Sequence, residues 1–355
     1  MKDDYLWDGS GEPDPEVQKL ENLLGRYRQN QPAPAFDQIA LERTARRSGF
    51  ASFRFSFQIV AVAAVLLIGV ATFLVLRARH VNDAGPAWEI ARIEGAPRVG
   101  WHSLTANSET AKLKVGQTLV TDNASRASIT LEETGRIEVD PASRLRVLVS
   151  GPNRKRLSLE RGTIHATIWA PPGEFIVDTP SAVAVDLGCV YTLHVDDSGA
   201  GLLRTTMGWV GFKLNGHESF IPAGAVCATR PKIGPGTPYF EDASASFREA
   251  LAKFDFVKIT PQELNALLGI LLVDARKEDA LTLWHLLSRV SDADRPGVYD
   301  RLAALAPPPA NVTRQGILRL DQKMLDSWWN SLGYGDVDLW HMYERTWSGD
   351  QPYPR

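Results

Sequence analysis

The spacing of apolar and polar residues changes several times along this chain of 355 residues. Residues 59–76 are all apolar and carry no charge. From about residue 88 to 230, apolar and polar positions alternate, as in "RASITL", where Ala127, Ile129 and Leu131 share one side. Beyond that region, apolar positions recur at helical spacing. The pattern predicts a mixed, multi-domain chain with one very apolar helix, an all-β region and a helical region.

The apolar run begins at Ile59 and ends at Leu76. With flanking residues added, a helix of this length spans the hydrocarbon core of a bilayer, and arginines flank it on both sides. A buried helix of a soluble core is the alternative, but such a helix rarely runs about five turns without a polar stripe. We expect one transmembrane helix over residues 58–77. Its N-terminal side is predicted to be cytoplasmic, because arginines before it slightly outnumber those after it.

Residues 1–57 are predicted to contain short helices. In the first of them, Asp14 can cap the N-terminus and Pro15 suits the first helical position. The apolar face of this helix carries Val17, Leu20, Leu24 and Tyr27. Two short helices bury too little surface to be stable alone, so we expect this face to pack against a partner protein. The alternative is a disordered tail followed by a basic segment next to the membrane.

Residues 88–232 are predicted to form an all-β domain, because short alternating segments recur about every ten residues between turn sequences such as "DPAS" and "APPG". A sandwich, a jelly roll and a solenoid-like roll all fit this spacing. Residues 240–332 are predicted to form helical hairpins, one of which starts with a capping box of Thr260 and Glu263. The glycine-rich "GPGTPYF" between the two regions is interpreted as a linker, and residues 333–355 as a docking strap or a partly disordered tail.

The composition and the motifs argue against several classes of function. Charged residues make up 23% of the chain and the net charge is −3, so no basic surface for direct nucleic-acid binding is indicated. No two histidines stand at metal-ligand spacing, and the two cysteines are too few for a zinc cluster. The serine-hydrolase, P-loop and dinucleotide-binding motifs are also missing. We therefore expect no metal, no cofactor and no enzymatic activity.

The stretch that most suggests catalysis is "DLGCVYTLHV", residues 186–195, because it brings a cysteine and a histidine close together in sequence. In a regular strand, however, Cys189 lies on the apolar side and His194 on the opposite side, so the two cannot touch. Burial also raises the pKa of a thiol and makes it a poor nucleophile. Cys189 and Cys227 are expected to form either one disulfide, in an oxidising compartment, or two separate buried thiols.

The sequence "VDTPSAVAVDLGCVYTLHVDDSGAGLLRTTMGWVGF", residues 177–212, resembles the signature of the FecR domain. The preceding stretches "RASITLEETGRIEVDPASRLRVL" and "RLSLERGTIHATI" resemble the repeated hairpins of that domain, and the whole likeness covers residues 95–215. Gly188 and Cys189 stand where Gly-Thr is usual in the family. Together with the N-terminal segment and the apolar run, the order of elements resembles a FecR-type anti-sigma regulator of bacteria.

This resemblance implies a single-pass protein of the cytoplasmic (inner) membrane whose C-terminal domains lie in the periplasm. Its cytoplasmic segment would bind an extracytoplasmic-function sigma factor through the face of Val17, Leu20, Leu24 and Tyr27. Its β domain would receive a signal from an unidentified envelope or outer-membrane partner. The alternative is a membrane-anchored envelope scaffold that binds glycan or protein and has no role in transcription.

Overall fold

The structure is a computed structural model that describes residues 87–214 and 216–337, together with Lys19. The predicted helices of the N-terminal segment, the predicted span from Ile59 to Leu76, and the tail beyond Val337 lie outside the described residues. Within the described part of the chain, no helix is long and apolar enough to cross a membrane.

Eighteen strands form in the described part of the chain, and most of them are short. In chain order they are β1 Trp88–Glu94, β2 Arg98–Val99, β3 His102–Ser103, β4 Thr110–Leu113, β5 Thr118–Val120, β6 Arg126–Thr130, β7 Gly135–Val139, β8 Arg144–Gly151, β9 Arg154–Ile168, β10 Phe175–Asp178, β11 Val183–Asp186, β12 Val190–Val195, β13 Gly201–Met207, β14 Trp209–Leu214, β15 His217–Pro222, β16 Ala225–Arg230, β17 Gly234–Pro235 and β18 Tyr239–Phe240.

These strands form two sheets that share the long strand β9. Sheet A has the order β4-β1-β6-β7-β9-β12-β13-β16, with β17 and β18 beside β16. Sheet B has the order β3-β2-β5-β8-β9-β10-β11-β14-β15. The hairpins are distributed over both sheets: β6–β7 and β12–β13 belong to sheet A, while β8–β9, β10–β11 and β14–β15 belong to sheet B. Of the expected all-β architectures, the structure has a two-layered sandwich.

The core lies between the two sheets, as the alternating pattern predicted. Ala127 and Ile129 on β6 and Leu145 on β8 are fully buried, and each large aliphatic side chain buried in this way contributes about 1.5–3 kcal/mol. On β6, one polar position departs from the alternation. Ser128 is also buried, because the Nε–H of Arg136 on the neighbouring strand donates to its hydroxyl at 2.7 Å.

The chain then forms six helices among the described residues. They are α1 Ala245–Phe256, α2 Pro261–Asp274, α3 Ala280–Arg289, α4 Arg295–Leu305, α5 Arg314–Leu318 and α6 Gln322–Leu332. The predicted capping box at the start of α2 is present, since Thr260 accepts from the amide of Glu263 and the Glu263 carboxylate accepts from the amide of Thr260. The large β-rich domain followed by helices is therefore confirmed.

The stretch "GPGTPYF" connects the strands to the helices, but it is not a free linker. Residues 234–238 are all buried. The Asp255 carboxylate on α1 accepts from both the amide and the hydroxyl of Thr237, at 2.6 and 2.8 Å. A side chain at Gly236 would come within 2.6 Å of the Phe256 ring. Glycine is thus needed there for close packing of the connection against α1.

Helix α3 covers the open edge of β15, the last strand of sheet B. The His285 Nε2 accepts from the amide of Phe220 at 3.1 Å, and the Arg289 guanidinium donates to the carbonyl of Glu218 at 3.0 Å. His285 and Arg289 stand one helical turn apart, so they reach alternate backbone groups along the strand. An edge strand left open would invite pairing with another chain. The helices therefore complete the sandwich rather than forming a separate body.

Candidate functional site

The stretch at residues 186–195 contains the end of β11, a tight turn and the strand β12. Cys189 is 2% exposed and faces the core, whereas His194 is exposed and its Nδ1 lies 2.9 Å from the hydroxyl of Thr163 on β9. The predicted separation of the cysteine from the histidine is confirmed. No Cys–His nucleophile forms here.

A buried carboxyl group, Asp186, is the actual partner of Cys189. Its Oδ1 accepts from the amide of Gly188 at 2.7 Å, and its Oδ2 accepts from the Cys189 thiol at 2.6 Å. Burial raises the pKa of Asp186 to about 7, although these hydrogen bonds partly oppose the shift. Burial, reinforced by the neighbouring Asp186, raises the pKa of the Cys189 thiol well above its ordinary value. The thiol is therefore a hydrogen-bond donor that holds the turn, and it is not activated for chemistry.

Both cysteines are free and buried, so the alternative of two separate thiols is the arrangement observed. The strand register explains why no disulfide forms. Cys227 is in register with Leu203, which is in register with Leu193, and Cys189 lies four residues before Leu193. Two strand spacings and four residues of strand separate the Cα atoms by roughly 16 Å, whereas a disulfide requires less than about 7 Å.

The outward side of sheet A carries a hydrogen-bonded row of polar side chains, which we call the polar face. Its members come from four neighbouring strands and are Arg126, Asp140, Thr163, His165, Thr192 and His194. Asp140 accepts from Arg126 and lies 2.9 Å from the Nε2 of His165. Partial burial acts to raise the pKa of Asp140, but the bonds to His165 and Arg126 outweigh it and hold this pKa below its ordinary value. The carboxylate is therefore ionised at neutral pH.

Three members of the polar face stand in the order found in hydrolase triads. The His165 ring lies between Asp140, at 2.9 Å from Nε2, and the hydroxyl of Thr192, at 3.0 Å from Nδ1. A triad also needs backbone donors free to bind an oxyanion. Here β9 is paired on both sides, with β7 and with β12, so the amides around His165 are used in the sheet. The arrangement is a cross-strand network on a flat surface and fits binding better than catalysis.

Large apolar side chains lie at one end of the polar face. Trp169, which follows β9, is 66% exposed, and Met207 at the end of β13 is 57% exposed. Val190 lies between their strands, in register with Thr167 and Met207. Exposed apolar groups beside polar ones are typical of interaction sites. Sequence analysis missed these residues, although the alternation already places Trp169 on the outward side with Thr163 and His165.

The remaining predicted site residues cannot be compared with the structure. Val17, Leu20, Leu24 and Tyr27, the predicted partner-binding face, lie outside the described residues, as do Ile59 and Leu76 at the ends of the predicted span. Within the described ranges, no group of three or more histidine, cysteine or acidic side chains is arranged to hold a metal ion.

The family comparison identifies the strands that carry these features. Residues 117–207 match the family model described as FecR protein, which is about a quarter of the chain. The match runs from β5 to β13 and contains the polar face and the Asp186–Cys189 turn. The predicted resemblance to the FecR domain is confirmed over these residues.

Two crystal structures, each described as that of a "putative anti-sigma factor" from Parabacteroides distasonis, are similar to part of this chain. They are 14% identical to it, cover 38% of it, and have TM-scores of 0.32 and 0.31. The chain spans 63% and 62% of the lengths of those two proteins. No curated protein sequence matches this chain.

Proposed function

We propose that this chain is a single-pass membrane signalling regulator of the FecR type, without enzymatic activity. Residues 1–57 bind an extracytoplasmic-function sigma factor in the cytoplasm, and the β domain receives a signal in the periplasm. The match of residues 117–207 to the FecR family model carries this proposal. The order of elements along the sequence supports it, because a short amphipathic segment, an apolar run and a β domain follow one another.

The sigma-binding face is the apolar side of the first predicted helix. Val17, Leu20, Leu24 and Tyr27 recur at helical spacing on one side of it. An isolated helix of this length is marginal in water, and an amphipathic helix that packs into a groove of its partner gains the burial that it lacks alone.

The direct test is copurification of a sigma factor with the full-length chain from its native host. The double variant Leu20→Asp, Leu24→Asp should lose the sigma factor, because it places two charges in the buried face. The matched control is Gln18→Asp, Asn22→Asp, which adds the same charges at the same spacing on the opposite face of the helix. The proposal fails if no sigma factor is enriched over the Leu20→Asp, Leu24→Asp variant.

The membrane topology has its own test. The full chain should resist alkaline extraction from membranes, and deletion of residues 59–76 should release it. A reporter enzyme that is active only in the periplasm, fused after Arg355, should be active. An inactive fusion or full extraction of the intact chain would contradict the predicted span or its orientation.

The second candidate is an envelope scaffold, and the exposed Trp169 and Met207 beside the polar face favour a binding role for the β domain. Deletion of residues 1–45 discriminates between the two functions. Transcription changes if the segment binds a sigma factor and stays the same if the chain is only a scaffold. In the second case, the double variant Trp169→Ala, Met207→Ala should lose the envelope partner.

A further inference from the structure

One side of sheet B carries basic side chains on the strands β2 and β8, which lie on either side of β5. Arg98 on β2 is in register with Val120 on β5, which is in register with Arg144 on β8. Arg146 follows two residues further along β8, on the same side. The residues between them face the core and are buried: Val99, Leu119 and Leu145. The arginines therefore point away from the core, on a part of the sheet distant from β15 and the helix that covers it.

The charge of this surface comes mainly from two of the arginines. Arg144 forms an ion pair with Glu160 at 2.6 Å, so it adds little net charge. Arg98 and Arg146 are exposed, and neither forms a hydrogen bond or an ion pair with any residue that the structure describes. Asp122 stands near Arg98: hydrogen bonds from Ser125 and Ala124, helped by the charge of Arg98, lower the pKa of this carboxyl. The charge of Arg98 is therefore partly balanced, and that of Arg146 is not.

Next to these arginines stands a fully exposed aromatic residue. Trp101 lies at the tip of the β2–β3 hairpin and is 100% exposed. The turn is open, since a side chain at the preceding Gly100 would have no atom within 4 Å. An indole that makes no packing contact costs free energy in water, and such residues often mark a contact with another phase or molecule. Tryptophan beside arginine is typical of the interface between lipid headgroups and acyl chains.

The polypeptide enters the β domain on the same side as Trp101. Trp88, the first strand residue, is in register with Leu113 on β4. Five residues later, the carbonyl of Thr118 accepts from the amide of Gly100 at 3.0 Å. One short loop therefore joins the point of entry to the hairpin that carries Trp101.

The length of the connecting chain limits how far this side can lie from the membrane. This step rests on the proposed function, because it requires the predicted span. Ten residues, 78–87, separate the end of that span from β1. Fully extended, they reach at most about 35 Å, which is close to the width of a small domain. The entry point at Trp88 therefore lies no further than this from the end of the predicted span.

We propose that the surface formed by Arg98, Trp101 and Arg146, here called the basic edge, docks on anionic lipid headgroups of the membrane that anchors the chain. The indole inserts at the interface while the two guanidinium groups contact phosphates. Docking orients the sandwich so that the polar face of sheet A, on the opposite layer, stays open to a partner from the envelope.

The test uses the full chain in nanodiscs whose lipids carry bromine on the acyl chains, which quench tryptophan at short range. The difference between the wild type and Trp101→Phe isolates the signal of that indole. Quenching should be seen in discs rich in phosphatidylglycerol, lost in Trp101→Phe, and much weaker in pure phosphatidylcholine. Each arginine near an anionic surface strengthens binding about fivefold, so Arg98→Gln, Arg146→Gln should shift the docking equilibrium by roughly 25-fold.

The matched control is Arg248→Gln, Arg319→Gln, which removes two exposed arginines from the helical region and should leave the quenching unchanged. Equal quenching of wild type and Trp101→Phe, or equal quenching in both lipids, would overturn the proposal. The proposal would also be overturned if Trp101 were protected from a soluble quencher only in discs that hold two chains. In that case a second copy of the chain, and not lipid, would cover the basic edge. A chain that never enters nanodiscs would refute the predicted span as well, whereas entry without quenching refutes the docking alone.

Discussion

Replacing Asp186 with asparagine should remove a large part of the pH dependence of folding stability. The carboxyl is 2% exposed and accepts hydrogen bonds from Gly188 and Cys189. Burial raises its pKa from the ordinary value of 3.8 to about 7. The folded protein therefore holds a proton that the unfolded chain releases between these two values. Stability contributed by this group is complete below pH 3.8, falls as the pH rises, and levels off above pH 7.

The magnitude follows from the width of that window. One pKa unit corresponds to about 1.4 kcal/mol, so a shift of about three units costs roughly 4 kcal/mol above pH 7. Asparagine cannot ionise and avoids this cost. Its amide oxygen still accepts from Gly188, but it loses the second carboxylate oxygen that accepts from Cys189. We therefore expect a loss of about 1 kcal/mol at pH 4 and a gain of about 3 kcal/mol at pH 8.

The measurement is chemical denaturation of the full chain in detergent between pH 4 and 8.5, followed by the near-ultraviolet signal of the sandwich. The matched control is Asp197→Asn, at a side chain that is 89% exposed, whose stability should parallel that of the wild type at every pH. Parallel curves for the wild type and Asp186→Asn would refute the reasoning. A wild type that is more stable than the variant at pH 8 would also refute it, because the ionised carboxylate would then be stabilised in the turn.

Three further substitutions test the packing of the helices and of the turn. His285→Leu should lower the free energy of unfolding by about 1–3 kcal/mol at pH 7, because the amide of Phe220 loses its acceptor. Burial lowers the pKa of His285 to about 3. The wild type therefore loses stability as the pH falls below 6.5, and the variant, which lacks this group, loses less. Asp255→Asn leaves Arg289, which lies 3.6 Å away with its side chain 11% exposed, without its counter-charge and should cost about 3–5 kcal/mol. Gly208→Ala should unfold at a clearly lower temperature, because its Cβ would lie 2.2 Å from the carbonyl of Gly188.

Controls for these variants come from the same structure. Asp300→Asn breaks the exposed ion pair with Arg314 and should leave stability almost unchanged, because solvent screens the pair. Gly116→Ala also changes a residue with positive φ, but nothing lies within 4 Å of its Cβ, so only backbone strain of about 1 kcal/mol should appear. Losses at Asp255 and Gly208 no larger than those of these controls would contradict the packing described above.

Alternation along the sequence was enough to predict which residues of the strands face the core. It assigned Ala127, Ile129 and Cys189 correctly, because the period of two depends only on the local geometry of a strand. It could not show to which of the two sheets each hairpin belongs. That assignment depends on contacts between distant residues, such as the bond between Ser181 and Thr229.

The polar groups of the candidate site show the same limit. His165 was visible in the sequence as an outward-facing residue, but Asp140 and Thr192 lie 25 and 27 residues away from it. Only the strand order places the three together. His285 likewise stands between apolar neighbours, Trp284 and Leu286, in the sequence of its helix. Its role as an acceptor for the edge of β15 becomes visible only when the helix is docked.

The folded unit contains more strands than the family match covers, and this difference decides which elements move together. The match ends at residue 207, yet β11 pairs with β14 and β13 pairs with β16, so both sheets are completed by later strands. The next strand, β15, is itself closed by His285 and Arg289 of α3. Since packed layers transmit strain rather than absorb it, a partner that displaces the strands under the polar face must also move β14, β15 and the helices. The helical region is therefore packed into the same body as the strands that match the family model, and a ligand of the helices and a ligand of the polar face would act on one connected unit.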